Sequence, residues 1–275
     1  MLYPSIFRPA LCPLLALCLL LCAAPFAVAV EATETVRIAD RDIPVDALEL
    51  DLSSQGLTDI APLEKFVLLE ELTLNENAIT DLAPLAGLTE LRVLYLNTNQ
   101  LADLSPLAGL TNLQLLYLHG NRIEDISPLA GLTGLLALDL GENQIQDISP
   151  LTGMELLVSL TVDSNRITDI SAVSGMKNLW TLSLESNQIA DLTPLSELPE
   201  LDTLFLTGNQ ITDVFPLSGL TTLNLLHLSA NLLTDVTPLI GLKGLYTLAI
   251  YENDELSMEQ IEALQQALPD CKVDY

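Results

Sequence analysis

Basic residues, cysteine and aromatic side chains are all scarce in this sequence. The 275 residues include 10 Lys and Arg against 37 Asp and Glu, a net charge of −27. Nucleic acid and anionic lipid both require basic patches, so neither is an expected partner. The charge suits a basic partner, and equally simple solubility or a salty habitat. Three of the four cysteines, Cys12, Cys18 and Cys22, fall in the first thirty residues. The rest of the chain holds Cys271 alone and cannot close an internal disulfide, so packing must supply its stability.

A long apolar run is missing too. Leu14 to Ala24 is bounded by Pro13 and Pro25, and it is short for the roughly 20 residues that cross a membrane. Arg8 is the only charge before Glu31, and Ala27-Val28-Ala29 has the small-x-small form of a cleavage site. Residues 1–29 therefore read as a secretion signal, with mature protein from Val30. An uncleaved anchor, or lipid attached at Cys18 or Cys22, is the alternative. The expected product is secreted or extracytoplasmic and not inserted in a membrane, and no wall-sorting tail is recognisable.

What the chain has in abundance is one repeat. Asn77, Asn99, Asn121, Asn143, Asn165, Asn187, Asn209, Asn231 and Asn253 stand 22 residues apart, and Asp59 through Asp235 keep the same beat. Pro62 to Pro238 do likewise, with Ala172 the one replacement, and Gln55 stands where a first Asn would be. The unit is L-x-x-L-x-L-x-x-N-x-I/L-x-D-I/L-x-P-L-x-x-L-x-x, in ten rows from Ala47 to Asn253. Its length and its L-x-x-L-x-L-x-x-N segment match leucine-rich repeats.

The D-I-x-P-L-x-x-L half resembles the bacterial internalin-type class over residues 47–253. That resemblance implies a right-handed arc of the α/β-type horseshoe kind, with a concave parallel sheet of about ten strands. It also implies short 3₁₀ turns on the convex side and a protein ligand, possibly on a cell surface, bound by the sheet.

The fixed letters have physical roles of their own. Leu94-Tyr95-Leu96 alternates inward and outward as a half-buried strand does, and each coil depends on its neighbours to bury its leucines. The Asn column can satisfy backbone groups at the turn after each strand. The Asp column can cap the next turn, as Asp81 would by accepting the Ala83 N–H. One carboxylate per row is too few for calcium, which takes six or more oxygens, so no metal or cofactor is expected.

Residues 30–46 are expected to form an N-terminal cap in which Val36 to Ile43 pairs with the first row. Residues 254–275 should form a C-terminal cap: Ser257-Met258-Glu259-Gln260 reads as a capping box, and Leu256 with Ile261 as a staple. Ile261, Leu264 and Leu268 share one helical face.

Function is sought in the letters that vary. Six of the nine aromatics after residue 30 occupy outward positions: Tyr95, Tyr117, Trp180, Phe205, Tyr246 and Tyr251. Such aromatics on a rigid face are typical binding anchors, although strands favour them regardless of facing. Tyr95 and Tyr117 should lie side by side, flanked by Val93, Leu115 and His119. Phe205, Leu225, His227, Tyr246 and Tyr251 form a second group. Asp139, Glu142, Asp163 and Glu185 lie between, an acidic middle suited to Lys or Arg on a partner.

Catalysis is not expected. His119 and His227 are about five rows apart, Ser183 has no neighbouring His, and Tyr117, His119 and Asp139 lack a nucleophile and a pocket. The reading is a binding module for a protein partner. A glycan-binding or envelope-associated module, and a spacer without a specific ligand, are the alternatives.

Overall fold

The structure is a computed structural model and describes residues 34–275. The expected secretion signal lies outside these residues. Each row contributes one short strand: β3 (Glu49–Asp51), β4 (Glu71–Thr73), β5 (Val93–Tyr95), β6 (Leu115–Tyr117), β7 (Ala137–Asp139), β8 (Ser159–Thr161), β9 (Thr181–Ser183), β10 (Thr203–Phe205), β11 (Leu225–His227) and β12 (Thr247–Ala249). They pair in parallel and in sequence order, with each residue opposite its equivalent 22 positions on. A parallel partner needs a crossover, and here each crossover carries a 3₁₀ turn such as Ala83–Leu85 or Ser105–Leu107.

The leucine columns fill the interior. In the row from Leu91, residues Leu91, Leu94, Leu96, Leu101, Leu104, Leu107 and Leu110 are each at most 1% exposed. Phe66 occupies one of these columns and is fully buried. A single coil has no interior of its own, so this burial exists only where coils stack.

The Asn column forms the expected ladder. Asn143 Nδ2 donates to the carbonyls of Leu118, Leu140 and Gly141, each at 3.0 Å, and its Oδ1 accepts the Ile123 N–H at 3.0 Å. Every Asp of its column accepts the N–H two residues on, at 2.8 Å for Asp81 and Ala83 and 2.7 Å for Asp147 and Ser149. These bonds hold Asp103, Asp147, Asp191 and Asp235 below the usual carboxylate range.

Both ends differ in detail from expectation. Residues 35–44 do not pair with the first row; β1 (Thr35–Ile38) and β2 (Arg41–Pro44) form a separate antiparallel hairpin. Ala39 and Asp40 both take positive φ, 47° and 61°, the two-residue turn that matches strand twist. The hairpin turns Ile38 and Ile43 inward, at 6% and 5% exposure. The edge of β3 is instead met by Arg41 Nη1, which donates to the Asp51 carbonyl at 3.1 Å.

At the far end β13 (Lys272–Asp274) adds an eleventh strand against β12. The helix α1 (Met258–Ala267) buries Ile261 and Leu264, and Leu268 just past its end is buried with them. Ser257 Oγ accepts the Gln260 N–H at 3.3 Å, while Gln260 Oε1 is buried without a partner. Only half of the expected capping box is therefore made.

Candidate functional site

The inner face of the sheet is set by alternation. With Leu94 and Leu96 inside, Val93 and Tyr95 point outward, and equal register carries that order to every row. Tyr95 and Tyr117 stack with centroids 4.8 Å apart and planes at 15°. Both are half-buried, and burial raises both phenol pKa values, with the Glu71 charge adding to the effect at Tyr95. Val93 and Leu115 pair beside them, Leu115 being only 8% exposed.

His119 follows Tyr117 by two positions and lies between two carboxylates. Its Nδ1 is 3.9 Å from Asp139 Oδ1 and its Nε2 is 3.7 Å from Glu142 Oε1. Gly141 makes this placement possible, because a Cβ there would stand 2.7 Å from His119 Nδ1. The equivalent positions of the other rows, from Ser53 to Tyr251, all carry side chains. That lone glycine was the available signal, and composition alone passes over it.

A second ladder runs along the same column. Asn75 Oδ1 accepts the Asn97 N–H at 2.8 Å and Asn97 Oδ1 accepts the His119 N–H at 2.9 Å. Asp163 Oδ1 takes the Glu185 N–H in the same way at 2.7 Å, while Gly141 gives its N–H to Asp139 Oδ1 of its own row at 2.9 Å. Ser183 Oγ donates to both Asp163 oxygens, at 2.7 and 2.8 Å. Burial outweighs these bonds and lifts Asp163 to about 6, with Glu185 and Asp139 adding to the rise. Burial likewise raises Asp139 against the Gly141 N–H and the His119 charge.

The second aromatic group is only partly assembled. Phe205 and His227 meet edge to face at 5.0 Å, and Thr203 pairs with Leu225. Phe205 is 6% exposed, so it supports the face more than it presents itself. Burial lowers the His227 pKa. Tyr246 precedes β12 and Tyr251 follows it, at 72% and 45% exposure.

Trp180 sits one residue ahead of β9, and its N–H bonds the Val158 carbonyl, whose own N–H bonds the Leu136 carbonyl. Leu136, Val158 and Trp180 thus stand in consecutive rows, with Leu156 nearby in sequence at 51% exposure. Sequence singles out Trp180 but not Leu136 and Val158, which share its column one residue ahead of the strands. Among the described residues no cluster of His, Cys, Asp or Glu is arranged to hold a metal ion. No helix among them is long and apolar enough to cross a membrane.

The family described as "Leucine Rich repeats (2 copies)" matches residues 67–109, 111–153 and 199–241, and "Leucine rich repeat" matches 155–211. Comparison with curated protein sequences finds no match. Internalin C2 of Listeria monocytogenes is similar at 38% identity and a TM-score of 0.66, over 69% of this chain and 83% of that one. The internalin InlF of the same organism is similar at 31% identity and 0.59, over 85% and 83%. A leucine-rich-repeat protein of Leptospira interrogans is similar at 29% identity and 0.78, over 82% and 60%. The unbroken 22-residue rows, their parallel sheet and these two internalins together show that the chain belongs to the internalin-type leucine-rich-repeat family.

Proposed function

We propose that the chain is an exported binding module that recognises a protein partner through the concave face of its sheet. The observation that carries this reading is the Tyr95–Tyr117 stack, two half-buried rings fixed in register on adjacent strands. Rings already ordered lose little conformational freedom on binding, so their contact area contributes efficiently to affinity. Leucine-rich-repeat proteins bind protein ligands, and the plant peptide hormone receptor RGFR1, which shares the fold, is solved in complex with RGF2. Export is supported by the apolar run and cleavage pattern of residues 1–29.

The double variant Tyr95→Ala with Tyr117→Ala tests the reading. Loss of a captured surface or secreted protein, with melting little changed, supports it. A ring pair beside the Asn97 amide also suits a sugar, so loss of polysaccharide retention instead would favour a glycan-binding module. Unchanged binding of every kind would leave a spacer.

A further inference from the structure

Three rows separate the Tyr95–Tyr117 pair from the Phe205–His227 pair, and each places an acid on the same face. Asp139 ends β7, Asp163 stands two residues past β8, and Glu185 stands two residues past β9. Glu142 flanks Asp139, and the His119 ring stands between their carboxylates at 3.9 and 3.7 Å. The charges of Glu185 and Asp139 both reach Asp163, which stands between them on the middle row. They sit in a chain whose net charge is already −27, with aromatic side chains on the rows to either side.

The dimensions fit one kind of occupant. With rows about 4.8 Å apart, Tyr117 and Phe205 stand roughly 19 Å from each other along the sheet. An extended chain covers that distance in about six residues at some 3.3 Å each. Its alternate side chains repeat every ~7 Å, so two basic residues at i and i+2 fall over the three acid rows. Carboxylates favour cations through charge-assisted hydrogen bonds, and an Arg leaving them can lie against a Tyr ring.

We infer that the middle of the concave sheet takes an extended cationic segment of a protein partner, with Lys or Arg side chains over Asp139, Asp163 and Glu185, the Tyr95–Tyr117 stack holding one flank and His227, backed by Phe205, the other. The inference rests on the concave face being the binding face.

The test uses a fluorescent octapeptide of alternating Ser and Arg, its citrulline counterpart, and anisotropy at low and physiological salt. In one triple variant Asp139→Asn, Asp163→Asn and Glu185→Gln remove the charges but keep the acceptor oxygens. In the other, Glu90→Gln, Glu155→Gln and Glu200→Gln remove as many charges from exposed positions outside the concave face. A loss of about tenfold or more for the first and under twofold for the second, with no citrulline binding, supports the inference. Equal losses in both variants, equal binding of the citrulline peptide, or no binding of the Arg peptide at low salt would overturn it.

Melting curves establish that the first triple variant is folded. Should it unfold, single Asp139→Asn and Glu185→Gln are read in its place. The wider reading is judged separately, on the captured partner. If that partner is lost from the Tyr95→Ala/Tyr117→Ala variant but kept by the acid variant, concave binding stands and the cationic segment is refuted.

Discussion

Gly141 lies under the imidazole of His119, and a Cβ at 141 would come within 2.7 Å of Nδ1. The absence of one side chain therefore sets where the neighbouring row's ring can rest. Gly141→Ala should swing the ring away from Asp139 and Glu142 at small cost to stability, about 1 kcal/mol or less, because the clash is with a side chain that can turn. The check is the His119 ring resonances beside a melting curve. Unmoved resonances would show that the glycine does not position the ring.

Asn143→Ala should be costly. It strands the Ile123 N–H and removes one of two donors from the Leu118, Leu140 and Gly141 carbonyls, in a site where Asn143 is 9% exposed. Unsatisfied buried groups cost about 1–3 kcal/mol, equivalent to several degrees of melting temperature for a domain of this size. A loss under one degree would mean that water replaces the amide.

Stability should depend on pH through Asp163. Its folded pKa of about 6 is raised above the ordinary 3.8, so the folded state holds the proton more tightly than the unfolded chain does. Stability is then fullest below 3.8 and is lost as pH rises to about 6, by up to roughly 3 kcal/mol. Burial of His227 acts in the opposite sense, its contribution falling as pH drops below 6.5. The readout is therefore a difference: Asp163→Asn should gain on the wild type between pH 4 and 7. Parallel melting profiles for the two proteins would count against a raised Asp163.

Thr98 occupies a left-handed position, φ 56°, that Gly120 and Gly208 fill in other rows. A β-branched residue pays about 1–2 kcal/mol there, while glycine costs roughly 0.5–1 kcal/mol in unfolded-chain entropy. Thr98→Gly should consequently raise the melting temperature by one or a few degrees. A fall would show that the Thr98 hydroxyl contributes more than its backbone strain removes.

The Asp column should behave as caps. Asp147→Ala should lower the melting temperature and Asp147→Asn should lower it less, since the amide oxygen can still accept the Ser149 N–H. A chelator should leave the melting temperature unchanged. A drop of many degrees would replace capping with metal binding.

Much of the architecture was legible in the letters. An unbroken 22-residue period leaves one way to bury Leu94, Leu96 and their equivalents, and the same period set the Asn ladder and the Asp caps. These depend on local geometry repeated in register, so counting residues was enough. The hairpin was not legible: Ala39 and Asp40 accept left-handed backbone without being Gly or Asn, and their turn kept residues 35–44 from joining the sheet.

The candidate site divides in the same way. Sequence placed Tyr95 beside Tyr117, because equivalent positions one row apart must be neighbours. Only the folded sheet decided how exposed each ring is, leaving Phe205 nearly covered and Tyr246 open. It also gave Asp139 and Asp163 backbone N–H groups to accept while keeping both under-solvated. Periodicity specifies which residues share a face. Burial and charge balance on that face depend on the neighbouring rows, and those are brought together by the coil as a whole.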